Sequence, residues 1–259
     1  MQLSGRHVIV TGAAGGIGSA LARRFHRAGA RVVLTDLDGA DHEASRLEGA
    51  LSLAADMRSE ESIVTMIDAA EAEFGPVDLY FANAGVAMGT DPMDDEEAWD
   101  ISFDVNLHAH RWAARRLLPA WLERGEGYFC STASAAGVLA QIGSAPYSVT
   151  KHGAVAFAEW LSITYGDRGV RVSCLCPQGV NTPMVHAGDD IGGGLNVVKE
   201  VGSILEPDDV ADAVLDAIED ERFFILPHPE VADYMTLKAN DHPRWMGGMR
   251  KLQRRITGV

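Results

Sequence analysis

His7-Val8-Ile9-Val10-Thr11-Gly12-Ala13-Ala14-Gly15-Gly16-Ile17-Gly18 is the stretch that decides the fold. Its first five residues are mostly β-branched and stop at a glycine, which predicts a strand over His7–Thr11. From Gly16 onward the apolar residues Ile17, Leu21 and Phe25 recur on one helical face, and Gly29 closes the segment, which predicts a helix over 16–28. The glycine string therefore sits at a strand-to-helix turn.

The rest of the chain repeats that alternation. Arg31–Asp36 reads as a second strand, with further strands at 51–56 (the weakest), 78–82, 128–132, 170–176 and 223–226. Helical periodicity covers 59–74 with Ser59 as N-cap, most of 94–123, then 146–167 and Pro207–Glu219. Strands alternating with helices imply an α/β, doubly wound fold: a seven-stranded, mostly parallel sheet with helices on both faces. A length of 259 residues suits one domain over 1–259. Gly192 to Gly194 mark 185–205 as a substrate lid, and 227–259 reads as a C-terminal extension. In that extension Trp245, Met246 and Met249 either cap a pocket or form one packed face of a surface helix.

Composition narrows the function classes. A formal net charge of -15 argues against nucleic acid, whose phosphates need clustered Lys and Arg. Cys130, Cys174 and Cys176 lack metal-type spacing and read as reduced core residues. His108 and His110 are two apart and point to different faces, so no metal site is expected. The run Asp94-Asp95-Glu96-Glu97 reads as an acidic first helical turn. The chain opens directly into a strand and holds no apolar run of about 18 residues, so a cytoplasmic protein with no membrane partner is expected.

Glycines at the first turn let the backbone approach a pyrophosphate, while the next helix offers N–H groups and its positive dipole end. An acid at the end of the second strand, Asp36, can accept hydrogen bonds from ribose hydroxyls and would repel a 2′-phosphate. No Lys or Arg lies in the glycine string, so NAD is favoured over NADP; the plainer reading is that Asp36 caps the next turn. Tyr147 and Lys151 stand at i and i+4, one turn apart on a helix face. A free phenol titrates near pH ~10, too high for proton transfer at neutrality, and a nearby ammonium favours the phenolate. Ser134 follows the fifth strand, at the strand end that faces a ligand crevice.

Taken together, TGAAGGIG at 11–18, Asp36, Asp56, Asn83-Ala84-Gly85, Asn106 in DVNL, Ser134, YSVTK at 147–151 and the stretch Pro177–Thr182 resemble the short-chain dehydrogenase/reductase family in its single-domain, Rossmann-fold form. The resemblance implies an oxidoreductase moving a hydride between NAD(H) and a secondary alcohol or ketone, with Tyr147 as general acid/base. It implies that Gly12, Gly16, Ile17 and Gly18 line the cofactor, that Asp56 contacts adenine, and that Asn83 and Gly85 support the ribose side. Lys151 would also hold ribose hydroxyls, Asn106 a water in a proton relay, Ser134 the substrate oxygen, and Val180 with Thr182 the carboxamide. The family also builds homotetramers or homodimers through the helices near 100–124 and 147–167.

One position departs from the pattern. Gln178 stands where the family has glycine, and either orients a polar substrate group or is a tolerated backbone variant. The candidate substrate walls, including Val86, Leu139 and Met184, are mostly apolar, so a moderately apolar small molecule is expected. A non-catalytic dinucleotide-binding sensor is the alternative, and it would not need Ser134, Tyr147 and Lys151 together. A methyltransferase on a similar fold would need no YxxxK and has no pyrophosphate to fill the cradle.

Overall fold

The computed structural model describes residues 1–88, 96–187 and 202–258. Most of the expected 185–205 lid, and Asp94 with Asp95, lie outside the described residues. Seven strands form one sheet: β1 (His7–Thr11), β2 (Arg31–Asp36), β3 (Leu51–Ala54), β4 (Leu79–Ala82), β5 (Gly127–Thr132), β6 (Val170–Leu175) and β7 (Phe224–Ile225). Their spatial order is β3-β2-β1-β4-β5-β6-β7 and every neighbouring pair is parallel, so the expected "mostly parallel" sheet is parallel throughout.

The helices are α1 (Gly16–Arg27), α2 (Asp41–Ala44), α3 (Glu60–Phe74), α4 (Glu96–Phe103), α5 (Ala109–Arg124), α6 (Ala135–Val138), α7 (Ala145–Tyr165), α8 (Pro183–Ala187), α9 (Pro207–Glu219), α10 (Glu230–Asn240) and α11 (His242–Thr257). Side chains along each strand alternate between two cores. Val8, Val10, Leu34 and Phe81 pack with Leu21 and Phe25 of α1 and Val214 and Ile218 of α9. Ile9, Val33, Tyr80 and Phe129 pack on the opposite face with α3, α5 and α7. Both faces of a parallel sheet are thus covered, which is why its strands read as continuous apolar runs. Cys174 and Cys176 share one face, as their spacing requires, and all three cysteines are buried free thiols.

Several boundaries move. The single helical stretch expected over 94–123 is two helices joined by a π-helical turn, Asp104–His108. Strands β3 and β7 are shorter than their apolar runs, and both lie at sheet edges where fewer ladder bonds hold the ends. Ser59 does cap α3, its hydroxyl accepting from the Ser62 N–H at 3.2 Å. The C-terminal extension contains the α10–α11 pair. Among the described residues no helix is long and apolar enough to cross a membrane.

The sheet order places the reversal of direction between β1 and β4, where a crevice opens at the carboxyl ends of the strands. Trp121, near the end of α5, closes the far end of the sheet. It is fully buried, its indole N–H donates to the Val77 carbonyl at 2.8 Å, and Gly127 leaves the space its ring fills. Trp121→Ala is expected to cost about 3–5 kcal/mol through the cavity and the freed carbonyl, read as a lower midpoint in urea unfolding.

Candidate active site

One cavity of about 1170 Å³ runs along the carboxyl ends of the strands. Its floor is set by a hydrogen-bonded knot. Thr11 Oγ1, at the end of β1, accepts from the N–H groups of Asn83 and Ala84, each at 2.9 Å. Asn83 Nδ2 donates to the Thr11 carbonyl at 2.9 Å, and Thr132 Oγ1 at the end of β5 donates to Asn83 Oδ1 at 3.1 Å. Three strand ends are held in register by one amide.

The glycine turn is seated on that knot. Gly12 has φ 65°, a left-handed conformation, and a Cβ there would stand 2.9 Å from Ala84 Cα. Gly16 has φ 55°, and a Cβ would press on the Thr182 methyl at 3.1 Å, so the loop after β6 closes over the turn. Gly12, Gly16 and Ile17 line the cavity. Gly18 is not among the lining residues: a Cβ there would collide with the Gly12 carbonyl, so this glycine lets α1 pack against the turn.

Asp36 and Asp56 line the same end. Asp36 accepts from the Ala14 N–H at 3.0 Å and the Leu37 N–H at 2.8 Å, so it also steadies the glycine turn. Asp56 is held by Arg58, whose Nη2 reaches Oδ2 at 3.0 Å, and that hydrogen bond pulls the Asp56 carboxyl below its usual range. The Arg58 side chain lines the cavity too, a cation that attention to residues 11–18 alone passes over. Asn83, Gly85, Val180 and Thr182 complete this half.

Ser134, Tyr147 and Lys151 come together at the centre. Ser134 lies two residues past β5 and caps α6, its hydroxyl accepting from the Ala136 N–H at 3.1 Å. Tyr147 sits in the first turn of α7, which Ser144 caps. Lys151 is 2% exposed, its Nζ donates to the Thr132 carbonyl at 2.9 Å and lies 5.6 Å from the Tyr147 ring centroid. Burial pushes the Tyr147 phenol above its ordinary pKa, while its hydrogen bond with Ser134 pulls it back. Burial lowers Lys151 to about 8. Desolvation, rather than the pull of the neighbouring ammonium on the phenol, is the larger effect on both groups.

Asn106 is placed differently from expectation. It is buried in the π turn and does not line the cavity. Its Oδ1 accepts from the Val86 N–H and its Nδ2 donates to the Val86 carbonyl, both at 2.9 Å, with a further bond to Thr150 at 3.1 Å. Its side chain is committed to fixing the strand-end loop next to Gly85.

On the substrate side stand Val86, Ile101, Leu139, Gln178 and Met184. The Gln178 Oε1 is buried with no hydrogen-bond partner among the described residues. Its backbone avoids positive φ, so the position has no conformational need for glycine. Its N–H donates to Nδ1 of the buried His228 at 3.2 Å, and His228 Nε2 meets the carbonyls of Gly179 and Ser203 at 3.1 Å each. The extension supplies the remaining wall, from the same chain: Leu237, Trp245, Met249 and Leu252 line the cavity. Sequence periodicity marks Trp245, Met249 and Leu252 as one helix face but carries no sign of what that face covers.

The short chain dehydrogenase family model matches residues 6–190. The 1-deoxy-11-beta-hydroxypentalenate dehydrogenase of Streptomyces exfoliatus is 35% identical, with 89% of this chain and 86% of that protein covered. The cis-4-hydroxycyclohexanecarboxylate dehydrogenase of Sinomonas cyclohexanicum is 32% identical, covering 85% and 92%. A solved short chain dehydrogenase/reductase from Burkholderia phymatum in complex with NAD superposes with a TM-score of 0.83 at 27% identity, covering 94% of this chain and 96% of that one.

The lowered Lys151 pKa has a consequence for stability. The folded protein holds this proton less tightly than the unfolded chain, so stability rises with pH between the folded value, about 8, and the unfolded value, about 10.5. The stability of the parent relative to a Lys151→Met variant should therefore increase by up to about 3 kcal/mol across that window, read by denaturant unfolding at stepped pH. A flat difference would mean that the ammonium is not desolvated.

Proposed function

The chain belongs to the short chain dehydrogenase family, and on that premise we propose that it interconverts a secondary alcohol and its ketone with NAD(H), Tyr147 being the acid/base. It is an oxidoreductase rather than a silent nucleotide sensor, since the relatives it matches are named dehydrogenases. The observation that carries the residue assignment is the convergence of Ser134, Tyr147 and Lys151 in one cavity with the glycine turn.

The residues fit a dinucleotide. Gly12, Gly15 and Gly16 line the cavity at the strand-to-helix turn, and α1 begins there, so its N-terminal N–H groups are available to phosphates. Gly12, Gly16, Ile17, Asn83 and Gly85 would hold the cofactor's phosphates and riboses, Asp36 the adenosine ribose hydroxyls, Asp56 the adenine, and Val180 with Thr182 the carboxamide. Asp36 carries its charge beside the turn with no cation bound to it among the described residues, which supports NAD over NADP. When bound, the nicotinamide supplies or accepts the hydride.

In oxidation, the Tyr147 phenolate takes the hydroxyl proton of the substrate at its Oη while Ser134 Oγ holds the substrate oxygen. In reduction the same Oη returns the proton. Lys151, fixed by the Thr132 carbonyl, sets the positive field beside the phenol and can donate to a ribose hydroxyl. Asn106 keeps the Val86 loop in place, and its main chain completes a water path from Lys151 to solvent. Gln178 and Met184 border the substrate, and the orphan Gln178 Oε1 supports a polar contact there. The mostly apolar walls support a moderately apolar small molecule.

The same reading includes a single domain over 1–259, since both cores share one sheet. It includes a homodimer or homotetramer: Val149, Trp160 and Ile163 lie on one face of α7 and stay exposed, Ile163 at 84%. A second copy of the same helix face would cover them. A cytoplasmic setting is supported by three unbonded thiols, two of them with sulfurs 3.9 Å apart.

Tyr147→Phe tests the assignment. Turnover of cyclic secondary alcohols, followed by nicotinamide absorbance, should drop about 10²–10⁴-fold with NAD affinity retained. Retained turnover would remove Tyr147 from the chemistry. Ile163→Glu should shift the protein to a smaller species in analytical ultracentrifugation, and an unchanged mass would place the subunit contact elsewhere.

A further inference from the structure

The α10–α11 pair is tied to the catalytic segment by one cation. Lys238 Nζ donates to the carbonyls of Val138 and Leu139, each at 2.8 Å, at the end of the short helix that Ser134 caps. It also lies 3.3 Å from Nε2 of His152, whose Nδ1 meets the Ser148 carbonyl at 2.8 Å. The same ammonium stands 5.0 Å from the Trp245 ring centroid, a cation–π contact. Trp245 is only 8% exposed, although it belongs to the outermost helix. Its position is therefore coupled to that of Ser134 through Lys238.

Around Trp245 the helix has two characters. Met249 and Leu252 follow at helical spacing and face the cavity with it. Arg244 and Lys251 line the cavity as well, both exposed at its mouth. Neither meets a carboxylate in an ion pair among the described residues. Residues 242–257 contain five Lys and Arg and no acid, in a chain of net charge -15. The two acids that line the cavity, Asp36 and Asp56, are at the glycine-turn end, where Asp56 is neutralised by Arg58. Lys238 spends its charge on two carbonyls and Lys151 on a third. Among the described residues the cavity thus has an apolar wall and, at Arg244 and Lys251, exposed cationic side chains in no ion pair, the neighbouring Asp241 carboxylate accepting instead from the Arg244 main-chain N–H at 3.1 Å.

We infer that the α10–α11 pair selects the substrate, with Trp245 as its apolar wall and Arg244 with Lys251 as an anion-binding rim, so that the preferred alcohol or ketone carries a carboxylate. The guanidinium of Arg244 offers a planar fork matched to that group. An acidic protein would otherwise repel such a substrate, and a local cationic mouth reverses the sign of the field where it enters. This inference rests on the redox reading above.

The test uses matched pairs of cyclic secondary alcohols, each as free carboxylic acid and as methyl ester, titrated calorimetrically into the protein–NADH complex at low and high salt. The acid should bind about tenfold or more tightly than its ester at low salt, with the gap narrowing as salt rises. Arg244→Gln/Lys251→Gln should abolish the preference and leave ester binding and melting temperature unchanged. Trp245→Ala should weaken acid and ester alike. Equal binding of acid and ester, or a preference that survives the double substitution, overturns the inference. Loss of NADH affinity in the double variant also overturns it, by assigning the cations to the nucleotide. Turnover is recorded separately: an acid preference without turnover on any pair sinks the redox reading and leaves the anion rim standing.

Discussion

Everything at the active site hangs on the side chain of Asn83. Its amide joins the ends of β1 and β5 to the loop leaving β4, and Thr11 completes the knot from below. Parallel strands carry no direct hairpin between neighbours, so their ends can drift relative to one another. Cross-links at the carboxyl edge remove that freedom where ligands bind. The glycine turn then rests directly on Ala84, and only a residue without Cβ can adopt φ 65° at that distance. Geometry that would look like sequence economy in the turn is dictated by the strand next door.

Desolvation is the second constraint. Tyr147 and Lys151 are drawn in opposite directions by the same environment, the phenol up and the ammonium down to about 8. Each is pushed toward its neutral form. Among the described residues the ammonium meets the Thr132 carbonyl and the face of the Tyr147 ring but no carboxylate, and a dipole compensates a charge less fully than a carboxylate would. The lysine thus keeps its positive field available to its neighbours instead of losing it in an ion pair. The energetic cost of that arrangement is carried by the two apolar cores, which supply most of the burial in the fold.

The alternation of strands and helices was legible because period and length agree with the burial of each element: all five residues of β1 are buried, and its apolar run is unbroken. The cradle, Asp36, Ser134, Tyr147 and Lys151 were legible because each is read from its place next to a strand end. What escaped the sequence was long-range. Nothing local says that Gly18 packs on the Gly12 carbonyl, or that Asn106 spends its amide on Val86. The π turn that buries Asn106 leaves the apolar pattern of 94–123 intact and so leaves no trace in it. Arg58 had a faint signal, a cation two residues past an acid at a strand end. The tail had a clear helical face, Trp245 to Leu252, but a face does not announce its partner.

That tail lies beyond residue 190, where the family match stops. The residues proposed to hold the nucleotide and move the proton come from before that point, whereas one wall of the chamber comes from after it, tied back by Lys238 to the carbonyls of Val138 and Leu139 and by His228 to Gln178 and Gly179. Such a chamber is modular. A lineage, or an engineer, could replace the two terminal helices as a cassette and obtain a new clientele of alcohols, while inheriting the redox engine unaltered.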